Sequence, residues 1–134
     1  MTADFEKAGL LTIREGRVLL CRKKHGTSLL ILPGGVKETG ETAEECLRRE
    51  VREELGDVSL GPLVFLGDYI APAALAGKTV RVELFAGALE GEPRASSEIR
   101  EVFWFGTDDD PALLAPSLRD FIFPDLVRRG LLWV

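Results

Sequence analysis

The chain has 134 residues, 46% of them hydrophobic, and its 17 basic and 22 acidic side chains leave a net charge of −5. That length suits one domain around one core, and the apolar fraction excludes a disordered chain. The acidic balance excludes a broadly basic surface that coats nucleic acid, and two cysteines, Cys21 and Cys46, are too few for a disulfide framework or a zinc site; they read as small buried filler in reduced form.

The first ten residues, MTADFEKAGL, carry neither a basic leader nor a long apolar run, so no signal peptide is expected. No apolar run approaches the roughly 18 residues of a membrane span. A soluble cytoplasmic protein is the resulting expectation. Lys7 to Ile13 is predicted as a first strand, Glu15-Gly16 as a turn and Arg17 to Cys21 as a second strand, which together make a hairpin. Lys24 to Thr27 is a loop, and His25 within it, the only histidine, is taken as solvent-facing. Ser28 to Leu32 is a short apolar strand running into a glycine turn, Pro33-Gly34-Gly35.

A polar loop with Glu41 leads into a predicted helix. Thr42 followed by Glu45 is a capping-box pattern, and Gly56 is a natural stop. Leu47, Val51 and Leu55 form an apolar stripe. Glu50, Glu53 and Glu54 share a neighbouring face, where like charges cost an isolated helix roughly 0.2–0.5 kcal/mol per pair. A divalent cation relieves such crowding, and hard oxygen ligands suit Mg²⁺ or Mn²⁺; by itself the triplet equally describes a solvated acidic face. Gly35 to Asp57 holds eight acids and four bases, so it supplies −4 of the net charge.

Beyond the helix, Gly61-Pro62 punctuates, and Leu63 to Ile70 is predicted as a strand with Gly67 at a bulge. Ala71 to Gly77 is a loop. Thr79 to Leu89 alternates at its start and is a half-buried strand. Gly91 to Ser97 is another loop, and Val102 to Phe105 a short aromatic strand. Asp108-Asp109-Asp110, between Gly106 and Pro111, belongs to an exposed turn rather than a cation site. A final helix is predicted from Pro116 to Arg129, kinked or broken at Pro124. Strands mixed with two helices imply α/β layers around a sheet.

From Gly35 onward the chain resembles the Nudix hydrolases, whose pattern is GX5EX7REUXEEXGU with U a bulky apolar residue. Gly35, Glu41, Arg49, Glu50, Val51, Glu53, Glu54 and Gly56 fill its fixed places at the right spacing, and only the last U departs, with Asp57 there and Val58 after it. The resemblance implies one domain over residues 1–134, a mixed β-sheet sandwiched between helices, and attack of water on a diphosphate linkage in a nucleoside diphosphate derivative. It implies Mg²⁺, with Mn²⁺ as a substitute, which polarises phosphoryl oxygens and acidifies water.

Carried over residue by residue, Glu50 and Glu54 are the main metal ligands, Glu53 a third, and the Gly35 carbonyl completes the set. Arg49 orients the acids, with Glu41 as its partner. Glu50 is also a candidate general base. Glu98 is the candidate further acid outside the box, with Glu101 as runner-up. Arg22 resembles a position that contacts substrate phosphate, whereas Lys23 points away if the strand continues.

The ligand beyond the diphosphate is less specified. The compact length and Leu32-Pro33-Gly34-Gly35 resemble small members of the family that cleave nucleoside triphosphates and remove damaged nucleotides, which implies a slight preference for a (d)NTP, although Leu30 stands where many of them have tryptophan. Pro72 resembles a position in enzymes acting on ADP-ribose, so ADP-ribose or a nucleotide sugar is the alternative; the extra N-terminal segment with which such enzymes commonly build a dimer is not expected here. Tyr69, Phe103, Trp104 and Phe121 are candidates to stack a base, with core packing the commoner role. The partner is thus a small nucleotide, with no nucleic acid or membrane, and the oligomeric state is open, a homodimer included. A nucleotide-sensing module without turnover, and a purely structural α/β domain, are the competing readings.

Overall fold

The computed structural model describes residues 3–73 and 77–133. Its first strand, β1 (Phe5–Leu11), lies inside a mixed sheet of order β4-β1-β7-β6. It runs antiparallel to β4 (Gly34–Val36) and parallel to β7 (Thr79–Ala86), while β6 (Val64–Pro72) forms the far edge, antiparallel to β7. A second sheet joins β2 (Ile13–Arg14), β3 (Arg17–Lys23) and β9 (Ile99–Phe105), and a two-stranded ribbon joins β5 (Ser59–Leu60) to β8 (Leu89–Glu90).

Side-chain alternation along β1 and β3 divides the core in two. Ala8, Leu10, Leu19 and Cys21 point to one side, where Cys46, Leu47, Val51 and Leu55 of helix α1 (Ala43–Leu55) cover them. Leu11, Val18 and Leu20 point to the other, where Leu118, Ile122, Phe123 and Leu126 cover them. Period-two strands between period-3.6 helices give the expected helix–sheet–helix sandwich. No helix among the described residues is long and apolar enough to cross a membrane.

The predicted hairpin is reduced to a stub. Lys7 to Ile13 is not one strand: it breaks at the buried Thr12, whose carbonyl accepts from Leu19 N (3.1 Å), and only Ile13–Arg14 pairs with β3. The main part of β1 instead recruits β7, a partner far along the chain that local pattern does not reveal. Between Ser28 and Leu32 only isolated bridges form, at Leu30 and Ile31. The glycine turn is in part a strand, since Gly34 and Gly35 pair with Gly9 and Ala8.

The β6 bulge is present, with its register shift between Phe65 and Gly67. That strand runs on to Pro72, so the predicted loop begins later, and residues 74–76 of it lie outside the described residues. Thr79 to Leu89 is interrupted at Gly87-Ala88: a Cβ on Gly87 would come within 2.7 Å of Leu63, and β8 then pairs elsewhere. The aromatic strand starts three residues early, at Ile99, because it follows β3 along its length.

The predicted C-terminal helix is composite. Leu118–Ile122 is a wide π-type turn that passes into α2 (Phe123–Arg128), with Pro124 in the first turn of α2. Proline lacks an N–H, so the start of a helix is where it does no harm. Its effect is to divide the helix rather than end it.

Candidate active site

Helix α1 is built by its own sequence. Thr42 Oγ1 accepts from Glu45 N (3.1 Å) while Glu45 accepts from Thr42 N (2.9 Å), and Gly56 takes φ 78° at the exit. This fixes the start and the phase of the helix, and therefore which face meets β4.

Glu54 is the residue most altered by that placement. It is 7% exposed, and its carboxylate accepts from Gly34 N at 2.9 Å. Burial pushes its carboxyl up to about 7, the Gly34 hydrogen bond opposes this, and the neighbouring Glu50 adds to it. Burial also raises Glu50, against the pull of Arg49. The Glu50 carboxylate lies where a side chain on Gly35 would go, since a Cβ there would sit 2.6 Å from its Cδ. Glycine at 35 is thus a requirement of close approach. Glycine at 34 has a second cause: φ is 136°, and a Cβ would overlap the Ala8 carbonyl oxygen.

Arg49 organises the acids. Its Nε and Nη2 reach Glu41 at 2.7 and 2.9 Å, a two-pronged pair, and its Nη1 donates to Glu50 Oε1 at 2.8 Å. Hydrogen bonding from Arg49 takes the Glu41 carboxyl down to about 2. Glu53 is more exposed and lies 3.6 Å from Arg49 Nη1. The Gly35 carbonyl accepts a weak bond from Cys46 Sγ at 3.4 Å.

The donor set fits a hard divalent cation. It combines carboxylate oxygens and a backbone carbonyl, and two of its acids are held out of water beside each other. Among the described residues no three of these groups converge on one point, because Glu50 is turned to Arg49 and Glu54 to Gly34.

The other candidates fall in different surroundings. Arg22 pairs with Glu101 across β3 and β9 at 2.7 Å, its Nε buried. The register shifts between Arg22 and Lys23, which pair with Glu101 and Ile99, so that β9 carries the extra residue, Arg100. Lys23 lines the cleft beside Gly34 and Gly35, and its charge is felt by Glu50 and Glu54. Lys23, which regular alternation is expected to turn away from Arg22 and the substrate, is thus at the cleft. Glu98 is exposed, in a loop tied to the end of α1 by Arg94 N and Ser96 N, which donate to Leu55 O and Glu54 O. Its own carbonyl accepts from Lys24 N at 2.9 Å.

That cleft is walled by Gly9, Leu32, Val80, Val82, Pro116 and Leu118, with Lys7 and Ser117 also in its lining. None of Tyr69, Phe103, Trp104 and Phe121 lines it. Phe103 and Tyr69 pack on the α2-side core, Arg14 lies over Trp104 at 5.4 Å, and Phe121 is at the surface. His25 is exposed. Asp108 and Asp109 bind Arg17 at 2.9 and 3.1 Å, and Asp110 caps the short turn after it, so that acidic run is structural.

Residues 6–123 match the family model described as the NUDIX domain. The chain is 31% identical over 105 residues to the ADP-ribose pyrophosphatase of Methanocaldococcus jannaschii, covering 75% of this chain and 60% of that protein. It is 36% identical over 105 residues to the oxidized purine nucleoside triphosphate hydrolase of Danio rerio, covering 76% and 66%. The matches thus span less than two thirds of either relative's own length. Among solved structures, a MutT NUDIX hydrolase from Burkholderia pseudomallei superposes with a TM-score of 0.74 at 28% identity, covering 86% of this chain and 92% of that one. A NUDIX hydrolase from Nitrosomonas europaea does so with a TM-score of 0.77 at 25% identity, covering 96% and 91%.

Proposed function

From the premise that this chain belongs to the Nudix hydrolase family, we propose that it is a Mg²⁺-dependent pyrophosphohydrolase of a small nucleoside diphosphate derivative, with a (d)NTP preferred, working as a single domain. The observation that carries this reading is the pair of buried Glu54 and half-buried Glu50, packed against Gly34 and Gly35 under a cleft that Lys23 enters.

Glu50, Glu54 and the Gly35 carbonyl would hold the cation, with Glu53 at the rim. Mg²⁺ there supplies neutralisation of phosphoryl charge and a more acidic water. The chain does the rest. Arg49 holds Glu50 by Oε1, which leaves Oε2 without a donor among the described residues and able to take the proton of the attacking water. The oxygen of that water bonds to phosphorus as the bridging P–O bond breaks. Lys23 meets the charge that develops on the phosphoryl oxygens, and the apolar walls thin the water around them. Glu41 keeps Arg49 from swinging away.

A second reading, ADP-ribose as substrate, is favoured by the Methanocaldococcus jannaschii relative and by Pro72, the exposed last residue of β6. The Danio rerio relative favours the triphosphate. A nucleotide-sensing role without turnover would not require the acids to remain together.

The test is a panel of (d)NTPs, ADP-ribose and nucleotide sugars incubated with Mg²⁺, with products identified by mass. Nucleoside monophosphate and pyrophosphate from a triphosphate is the expected result. Nucleoside monophosphate and ribose phosphate from ADP-ribose alone would select the second reading, and no turnover of any member would refute both.

A further inference from the structure

Lys7 takes part in no step of the proposed reaction, yet it lines the same cleft as Lys23, Gly34 and Gly35. Period-two alternation on β1 sends Ala8 toward α1 and Lys7 to the opposite face, the face of Gly9. Lys7 is flanked there by Val36 on β4 and Val82 on β7, so its stem crosses apolar surface before its ammonium reaches the cleft. The ammonium is within electrostatic reach of Lys23, Glu50 and Glu54.

Neither Lys7 nor Lys23 has a carboxylate within 4 Å among the described residues, although Lys37, two residues past Gly35, is ion-paired with Glu83 at 3.1 Å. Two half-buried cations thus share one cleft without an ion pair. Like charges in a partly dry site repel. They balance the charge of Glu50 and Glu54 only while those acids are bare. Once a divalent cation offsets the acids, the two ammonium groups become an uncompensated positive pocket, matched to an anion carrying at least two charges.

We propose that Lys7 is a second phosphate-binding residue, which with Lys23 grips the pyrophosphate part of the substrate. This rests on the proposed function, since it concerns the same site. It also assigns recognition to the phosphates. Among the described residues the remaining cleft wall is aliphatic, with Ser117 its one hydroxyl, so these residues offer few groups to read a base.

The test is calorimetric titration of inorganic pyrophosphate into the Mg²⁺-loaded protein. Lys7→Met is expected to weaken binding about tenfold, the size of one charge-assisted hydrogen bond. Lys7→Arg is expected to stay within about threefold of the parent. Lys78→Met, which removes an exposed charge elsewhere, is expected to change nothing. Lys7→Gln repeats the measurement with a polar replacement should methionine disturb the strand. In turnover assays Lys7→Met should raise KM about tenfold and leave kcat nearly unchanged.

Equal pyrophosphate affinity in the parent, Lys7→Met and Lys7→Gln would overturn the proposal, and so would absence of pyrophosphate binding by the parent. The two readings separate cleanly. Pyrophosphate binding that depends on Lys7, with no nucleotide hydrolysed, would refute the reaction and leave Lys7 standing; hydrolysis with Lys7-independent binding would do the reverse.

Discussion

Two three-acid clusters, Glu50/Glu53/Glu54 on α1 and Asp108/Asp109/Asp110 after β9, receive opposite treatment from the fold. The aspartates are local anchors. Asp109 accepts from Gly106 N and from Arg17, Asp108 pairs with Arg17, and Asp110 accepts from Ala112 N. The hydrogen bond from Arg17 holds the Asp108 carboxyl below its ordinary value. Of the glutamates, Glu50 and Glu53 share Arg49 while Glu54 accepts from Gly34 N, and burial raises the carboxyls of Glu50 and Glu54. Acid count does not separate the proposed cation site from a turn, and neither does possession of a donor, which members of both clusters have. What separates them is burial: Glu54 is buried and its carboxyl raised, whereas none of the three aspartates is buried.

The strongest way to break this comparison is to neutralise one member of each cluster. Glu54→Gln should lower turnover roughly a thousandfold, the several kcal/mol that a metal centre contributes. Its thermal shift with Mg²⁺ should vanish, as followed by scanning fluorimetry. Stability should move in the other sense. The Glu54 carboxyl sits at about 7 in the fold against an ordinary 4.5. A raised folded value means that its contribution is full below the unfolded value and lost as pH climbs through the folded one. Metal-free protein should therefore lose on the order of 3 kcal/mol between roughly pH 5 and 8, measured by denaturant melts. Glu54→Gln should flatten that decline.

Gly35→Ala comes next. The new methyl would meet the Glu50 carboxylate, and a displacement of about an ångström should cost roughly a hundredfold in turnover. A crystal structure of the variant should show Glu50 rotated away. Arg49→Lys should cost about tenfold in kcat, because a single ammonium cannot hold Glu41 with two prongs and Glu50 as well. Asp109→Asn should leave kcat/KM within about twofold and destabilise the fold by about 1 kcal/mol. A large activity loss in that variant would erase the distinction between the clusters.

Helix α1 and the acidic box were legible in the sequence because their signals are local: a capping pair, a stop glycine, acids one turn apart. The structural role of the aspartates was legible from their flanking glycine and proline. The pairing of β1 with β7 was not, since nothing near Lys7 names a partner more than seventy residues away. The place of Lys23 was not legible for a related reason. The cleft it lines is assembled from β1, β4, β7 and residues 115–118, which are distant from it in sequence. The place of Lys7 was not legible either, because a lysine at a strand start reads as an edge charge until β4 and β7 flank it.

The wide turn at Leu118–Ile122 is one residue longer than a regular helical turn requires, and Leu118 and Ile122 both border the cleft. Deleting a single residue there would tighten the coil and swing Pro116, Ser117 and Leu118 by about 100° around its axis. The acids of α1, held by Gly34 N and Arg49 rather than by this turn, would keep their places. Length variation at this one spot is thus a rotor by which this scaffold can remodel what it admits while its hydrolytic half stays still.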